Sequence, residues 1–477
     1  MTDVLIIGCG ITGTALAFAL SRFRLSTVVL ERENDVSCGT TKANSAILHA
    51  GYDPRPGTLM ARLNVRGAEL AKRLCRELDV PYLGCGSLVL AFSPEEEETL
   101  QELLRRGQRN GVPGLEIWDR ERLRREEPEV SPEARAALFA PTAAICSPWE
   151  YCLALAETAV RNGVRLHLET EVTGLTRSGD GWLVHTNRGD FESRFVVNAA
   201  GIDAARVHDM ALPHSFDIHP TRGEYYLLDK CEGGRAHHVL FQCPGPSGKG
   251  VLVAPTVHGN LIAGPNAQIV SGDDTANSAQ GLSFVRSKAV KSVPGIDFRQ
   301  SIRNFSGVRA NTGLEDYVLD IREGFLDLAG ICSPGLTAAP AIAEYACELL
   351  RGAGLELTER EDFIRTRRRI RFKELPAPEK AALIAQDPSY GRVICRCETV
   401  TEGEILAAFR TPIPPRSIDG VKRRVNTGMG RCQGGFCGPR VLELLAKELG
   451  VCPGDILQDR AGSRILARPT KEGAQDV

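Results

Sequence analysis

Over residues 1 to about 360 of this 477-residue chain, short apolar runs alternate with amphipathic stretches. That alternation predicts strands interleaved with helices, the pattern of an α/β domain. The first run, Asp3-Val4-Leu5-Ile6-Ile7, is continuously apolar after its leading acid, as a strand buried on both faces must be. A glycine-rich turn follows, then a small-residue stretch from Thr14 to Ser21 that predicts a helix. Ser26-Thr27-Val28-Val29-Leu30-Glu31 predicts a second strand ending on an acid. Beyond residue 360 the pattern changes twice. Residues 361–387 read as a charged linker carrying Arg365-Thr366-Arg367-Arg368-Arg369-Ile370-Arg371, and residues 388–452 as a small Cys-bearing domain with a helix from Val441 to Leu449. The basic run is either a docking strip for an acidic partner or membrane surface, or a solvated linker that packs on its own neighbours.

Composition narrows the class. Hydrophobic residues make up 43% and charged residues 25%, as in soluble globular proteins. A net charge of −2 gives no reason to expect a nucleic-acid partner. No run approaches the ~18 apolar residues of a membrane span. The short run Val4-Leu5-Ile6-Ile7 has no basic region before it and enters glycines directly, so no signal peptide is expected. A cytosolic address follows, at the inner face of a membrane if a partner holds the chain there. Fifteen Cys residues in such a chain predict ligands and buried thiols rather than a disulfide framework.

Gly8-Cys9-Gly10-Ile11-Thr12-Gly13 sits between the first strand and the first helix. At that place each glycine has a role in holding a dinucleotide: Gly8 for the turn, Gly10 for approach to a pyrophosphate, Gly13 for helix–strand packing. The helix N-terminus adds N–H groups and a positive dipole end. Glu31, 18 residues after Gly13, is placed to accept from ribose hydroxyls.

Gly39-Thr40-Thr41-Lys42-Ala43-Asn44-Ser45-Ala46-Ile47-Leu48-His49-Ala50-Gly51 resembles the flavin-contacting segment of the D-amino-acid-oxidase superfamily of FAD enzymes. Phe195-Val196-Val197-Asn198-Ala199-Ala200-Gly201 resembles that superfamily's strand-to-loop return. Leu326–Gly330 with Ser333-Pro334-Gly335-Leu336-Thr337 resembles its last strand and final helix N-terminus. The resemblance covers residues 1–355. It implies an FAD-binding Rossmann-like domain with an antiparallel-sheet substrate cap, at about 82–140 and 215–312. It further implies non-covalent FAD along Gly8, Gly10, Gly13, Glu31, Arg32, Thr40, Thr41, Asn44, Ser45, Val172, Ala199, Gly201, Gly335, Leu336 and Thr337. For the substrate it points to His49, to Arg222 in Arg222-Gly223-Glu224-Tyr225-Tyr226, and to Arg309 in Gly307-Val308-Arg309. His258 is a further candidate; an ordinary loop histidine is the other reading. A His suits the hydroxyl proton of an alcohol, and an Arg suits a carboxylate or phosphate.

Cys395-Arg396-Cys397 and Cys432-Gln433-Gly434-Gly435-Phe436-Cys437 bring four thiols within reach of a [2Fe-2S] cluster, and zinc is the competing occupant. The tract Gly428-Met429-Gly430-Arg431-Cys432-Gln433-Gly434 resembles the bacterioferritin-associated-ferredoxin-like domain fused to several FAD dehydrogenases. The remaining eleven Cys residues read as core.

The combined architecture is most similar to the family of anaerobic glycerol-3-phosphate dehydrogenase catalytic subunits. It implies oxidation of sn-glycerol 3-phosphate to dihydroxyacetone phosphate and an electron-accepting partner subunit, a flavoprotein or a quinone-linked protein. One departure concerns Ile331-Cys332-Ser333-Pro334-Gly335-Leu336-Thr337, which lacks the Lys of better-known glycerophosphate enzymes. The Arg222–Tyr226 tract is also similar to the L-2-hydroxyglutarate oxidase branch. A 2-hydroxy-acid dehydrogenase or an amine or imino-acid dehydrogenase subunit therefore remains an alternative, as does a bare electron relay.

Overall fold

Between its parallel neighbours Thr27–Leu30 and Phe191–Asn198, the strand Thr2–Ile7 sits inside an eight-stranded sheet. The structure is a computed structural model that describes residues 1–245 and 250–468. The chain forms two units. The larger comprises Met1–Leu30 and Ser37–Arg367; the smaller comprises Glu31–Val36 and the described residues from Arg368 onward. The sequence reading kept residues 31–36 in the first domain and took 361–387 as linker. In the structure Ala377–Gln386 is a helix of the smaller unit.

In the larger unit the first helix is Ile11–Leu20, starting directly after Gly10 and earlier than the small-residue run suggests. Gly10 is its N-cap with extended backbone, so the helix begins inside the glycine motif itself. Arg165–His167 continues the parallel sheet beside Thr27–Leu30, and Phe325–Ala329 joins it beside Phe191–Asn198.

The cap is a nine-stranded sheet drawn from residues between Ser87 and Ala140 and between His219 and Asn311. It is mostly antiparallel; Val239–Gln242 pairs in parallel with Ser87–Ala91. Tyr82–Leu83 belongs instead to a small sheet with Ile47–Leu48 and Ala144–Cys146. Alternation along the cap strands builds two cores. Val89, Leu138, Val239, Phe241, Leu252 and Ile262 pack with Ile47 and Ile145 on one face. Leu88, Leu90, Leu240, Val253 and Leu261 pack with Val285 and Ala289 of the helix Ala279–Ser292 on the other. The helices Leu59–Glu77 and Gly335–Gly352 cross at Gly67, where a Cβ would lie 2.2 Å from the Thr337 carbonyl oxygen. Among the described residues no helix is long and apolar enough to cross a membrane.

The smaller unit is a short hairpin, Val393–Cys395 with Val400–Thr401, packed with the helices Glu402–Ala408, Ile418–Val425 and Gly438–Leu449. The last of these starts before the expected Val441. Val400, Ile405, Val421, Val441, Leu445 and Ile456 form its apolar core. A buried charge network stands beside them. Asp35, 1% exposed, accepts from Arg423 and Arg424 at 3.0 and 2.8 Å, and Arg423 also reaches Asp459 at 2.9 Å. Burial alone would raise the Asp35 carboxyl; the two guanidiniums overcome that and hold it at about 2.

Two expectations need correction. The basic run is neither a free docking strip nor a solvated linker throughout. Arg367 is buried and bonded to Glu157 at 2.7 Å in the larger unit, and Arg369 donates to the Arg424 carbonyl in the smaller. Long Arg stems with a planar donor head can bury where a partner carboxylate or carbonyl is supplied. The eleven other Cys residues are not all core either: Cys9, Cys75, Cys146, Cys152, Cys243 and Cys347 are buried, but Cys231 and Cys452 are exposed.

Candidate active site

The glycine turn is cut to fit a close backbone approach. A Cβ on Gly8 would stand 2.5 Å from the Ala199 carbonyl oxygen, and one on Gly13 would stand 2.1 Å from the Gly8 carbonyl oxygen. Gly8 donates to the Leu30 carbonyl at 2.8 Å and Ala199 donates to the Ile7 carbonyl at 2.9 Å. The ends of three parallel strands therefore converge where the helix Ile11–Leu20 begins without a side-chain cap. Ser37 lies beside this turn, donating its N–H to the Cys9 carbonyl, and its buried hydroxyl has no hydrogen-bond partner among the described residues. A glycine cradle, an uncapped helix end and an orphaned hydroxyl fit a dinucleotide. Glu31 follows directly on Leu30, and its carboxylate accepts from the Glu33 N–H at 3.0 Å; Arg32 lies 3.5 Å from Glu33. Val172 begins a strand and is buried, and Gly201 opens a short 3-10 turn with φ of 62°.

The flavin segment is ordered by its own side chains. Thr41 accepts the N–H of Ile11 at 3.0 Å, tying the segment to the glycine helix. Asn44 donates to the carbonyls of Thr40 and Thr41 and accepts from Ala46, holding a tight turn. Thr40 donates to the Val308 carbonyl, and Ser45 shares a hydrogen bond with the Tyr225 hydroxyl at 3.1 Å.

The cap strands His219–Leu228 and Ser301–Asn311 pair in antiparallel register, with Gly223 opposite Gly307. A Cβ on Gly307 would fall 1.9 Å from the Ala43 carbonyl oxygen, so only glycine lets this strand lie against the flavin segment. Arg309 is two residues on and shares that face. Its guanidinium lies over Gly223, where a Cβ would be 2.6 Å from it, and is 3.4 Å from the Asn266 carbonyl oxygen. The paired glycines thus clear a trough in which Arg309 lies. Tyr225, stacked on Phe305 at 4.8 Å, shares the face.

Arg222 has the opposite placement. It is one residue from Gly223, so strand alternation turns it to the other face. There it is buried and bonded to Asp274 and Gln268, both at 2.8 Å. Glu224 shares that far face and bonds Asn266 and Ser278. The structure therefore does not bring Arg222 to Arg309 and the flavin segment.

His49 is pinned from both sides. Its N–H donates to Thr337 Oγ1 at 2.8 Å, and its carbonyl accepts from Asn64 at 2.9 Å. The ring stacks on Phe241, and Nε2 is 3.2 Å from the Ser333 hydroxyl. Gly335, Leu336 and Thr337 open the final helix, whose N-terminus has no side-chain cap. His258 lies on the turn between Leu252–Pro255 and Leu261–Gly264, stacked on Trp149, with Nε2 3.8 Å from the Glu150 carboxylate.

Three contributors were not singled out from sequence. Asn64 and Phe241 carried no signal, since each is one polar or aromatic residue in a long element. Asp327 is buried and accepts from Asn198 and His208, both at 2.8 Å, joining two strand ends under the Ala199–Gly201 turn. An acid inside the apolar run Phe325–Ala329 was the available sign. Burial raises its carboxyl above the usual range, against the pull of those two donors.

In the smaller unit the four cysteines form two pairs. Cys397 Sγ and Cys432 Sγ are 3.7 Å apart, and Cys395 and Cys437 share a hydrogen bond. That bond from Cys437, with the N–H groups of Gly428 and Glu398, draws the Cys395 thiol down to about 6. Gly430 has no room for a Cβ, which would lie 2.3 Å from that of Cys397. Four converging thiols with backbone donors fit a [2Fe-2S] cluster.

The chain belongs to the FAD dependent oxidoreductase family, whose model matches residues 3–349. A BFD-like [2Fe-2S] binding domain matches residues 393–447. It is thus an FAD-dependent oxidoreductase carrying FAD and a [2Fe-2S] cluster. A glycerol 3-phosphate dehydrogenase of Caloramator mitchellensis is 45% identical over 480 residues, covering 100% of both chains. A glycerol 3-phosphate oxidase of Mycoplasma genitalium is 31% identical over 73% of this chain and 94% of its own. Among solved structures, the dithionite-reduced, FAD-bound L-alpha-glycerophosphate oxidase of Mycoplasma pneumoniae superposes with a TM-score of 0.72 at 29% identity, over 76% of this chain and 98% of that one.

Proposed function

We propose that this chain oxidises sn-glycerol 3-phosphate to dihydroxyacetone phosphate and passes the electrons through its cluster to an acceptor protein. One observation carries the reading: the 45% identity to a glycerol 3-phosphate dehydrogenase extends over the whole chain, so both modules are covered. Bound FAD supplies a hydride acceptor, and the cluster supplies a one-electron exit. Gly8, Gly10 and Gly13 would hold the pyrophosphate, Glu31 the ribose, and the N-terminus of the helix Gly335–Gly352 would offer its N–H groups to the flavin ring. Arg309 grips the substrate phosphate with its planar fork. The missing Lys near residue 333 leaves that work to Arg309. His49 Nε2 takes the hydroxyl proton as hydride leaves the same carbon. The substrate hydroxyl displaces that of Ser333, 3.2 Å from Nε2, while Asn64 and Thr337 fix the backbone. Arg222 acts at a distance from this chemistry, by bracing the cap.

The test is anaerobic bleaching of the purified holoenzyme by a panel of glycerol 3-phosphate, L-2-hydroxyglutarate, lactate and amino acids. Glycerol 3-phosphate is expected to bleach the flavin fastest. Faster bleaching by any other member of the panel overturns the substrate assignment.

A further inference from the structure

We propose that the surface around Cys432 and Cys437, centred on Phe436, is the docking site for an acidic electron-carrier protein. This rests on the reading above that electrons leave through the cluster. Phe436 is 85% exposed, more than any other large hydrophobic residue described. It stands directly before the cluster ligand Cys437, which is 3% exposed. An aromatic side chain is usually buried, and the fold gains nothing from holding this one in water.

The thiols are polarised in the same sense. Cys395 and Cys437 are buried, whereas Cys397 is exposed and Cys432 half-buried. The Phe436 N–H reaches the Cys432 sulfur, so this exposed ring stands at the more open pair of thiols. The charges there have one dominant sign. Arg396 and Arg431 are exposed next to the ligands. The nearest acid in sequence, Glu398, is 4% exposed, and Glu443 pairs with Arg440. The whole chain carries a net charge of −2, so this basic rim is a local feature.

An exposed aromatic anchor with arginines on the same ligand loops has the make-up of a protein interface, and its complement is an apolar spot flanked by carboxylates. An anionic lipid surface would also attract the arginines. One aromatic side chain on a loop offers little apolar area to a bilayer, however, compared with the apolar face of an amphipathic helix. The transfer balances simply. One electron leaves the reduced cluster, and the carrier's oxidised flavin, haem or iron–sulfur centre gains it. No bond need form and no proton need move. Two such transfers remove the two electrons of one substrate hydride, and its proton is released to solvent on the enzyme's side.

The experiment uses native cytochrome c, which is basic, and the same protein made acidic by succinylating its lysines. Holoenzyme is reduced with dithionite, desalted anaerobically and mixed with each in stopped flow. The succinylated form should be reduced at least ~10-fold faster at low salt, and the difference should collapse as salt rises. Phe436→Ser should slow that reaction several-fold while leaving the reduced-cluster paramagnetic signal and ferricyanide reduction unchanged. Arg396→Glu should shift the preference toward native cytochrome c. Equal or faster reduction of the native form, or no change in either variant with the cluster signal intact, overturns the proposal. So does Phe436-dependent sedimentation with phosphatidylglycerol vesicles, which would assign the surface to lipid. Because dithionite supplies the electrons, a wrong substrate leaves this test untouched. A missing cluster signal in the unaltered protein would instead sink the relay reading itself.

Discussion

The trough of the larger unit and the charge network of the smaller one solve opposite problems. The trough needs space: Gly223 and Gly307 face each other so that a sheet can lie on the flavin segment and Arg309 can lie flat. The network needs charge. The smaller unit's apolar core is modest, and Asp35 is embedded beside Arg423 and Arg424, where an uncompensated charge would be costly. The first region should therefore fail when an atom is added, and the second when a charge is removed.

The largest effect is expected from Asp35→Asn. It removes the carboxylate that two buried guanidiniums share, leaving Arg423 its bond to Asp459, a loss of about 3–5 kcal/mol. Urea unfolding followed through the cluster's visible absorbance should move to lower midpoint, with the flavin transition unchanged. Joint movement of both transitions would mean that the two regions do not fail separately. Gly307→Ala comes next. Its Cβ would meet the Ala43 carbonyl, so strand and flavin segment must part, at a cost near the upper end for overpacking, about 3 kcal/mol. Bound FAD per chain should drop while cluster iron stays level; full FAD occupancy would show that the trough yields easily.

Arg309→Ala adds no atom and tests the trough's purpose. KM for glycerol 3-phosphate should rise by an amount equivalent to ~1.5–3 kcal/mol, with FAD content normal. Unaltered kinetics would remove Arg309 from the substrate. The smallest effect comes from acid. Asp35 has its folded pKa depressed to about 2. The stability it contributes is complete above its unfolded value, ~3.9, and is lost as pH falls through about 2. The loss, on the order of 2 kcal/mol, should appear between those limits in the wild type and be absent in Asp35→Asn.

Local pattern carried the larger unit's architecture into view. Strand, glycine turn, helix and terminal acid lie within residues 3–31, so their spacing alone is informative. The cysteine spacing was legible for the same reason. Arg222 was misplaced although the means to place it were present: in Arg222-Gly223-Glu224, alternation puts Arg and Gly on opposite faces, and Gly223 marks the side another chain segment must approach. Asp35 was out of reach. It lies in a polar loop, and its partner Arg424 is 389 residues away. No periodicity links two such positions. Arg367 was misread because a run of arginines looks solvated unless the carboxylate that buries one of them, Glu157, is known.

The borrowed segment Glu31–Val36 has a consequence for how the protein is made and how it can be cut. A ribosome produces Asp35 early and Arg424 389 residues later, roughly 20–80 s afterwards at ordinary elongation speeds. Until then the acid has no guanidinium to meet, and the C-terminal unit cannot complete its polar core. The unit is thus contiguous in neither gene nor synthesis. A fragment begun at Arg368 would carry the cysteines and both arginines but lack Asp35, keeping of their counter-charges only Asp459, which reaches Arg423. Transplanting this cluster-binding module onto another enzyme would require the six-residue loop to travel with it, or Arg424 to be replaced by a residue that can be buried unaccompanied.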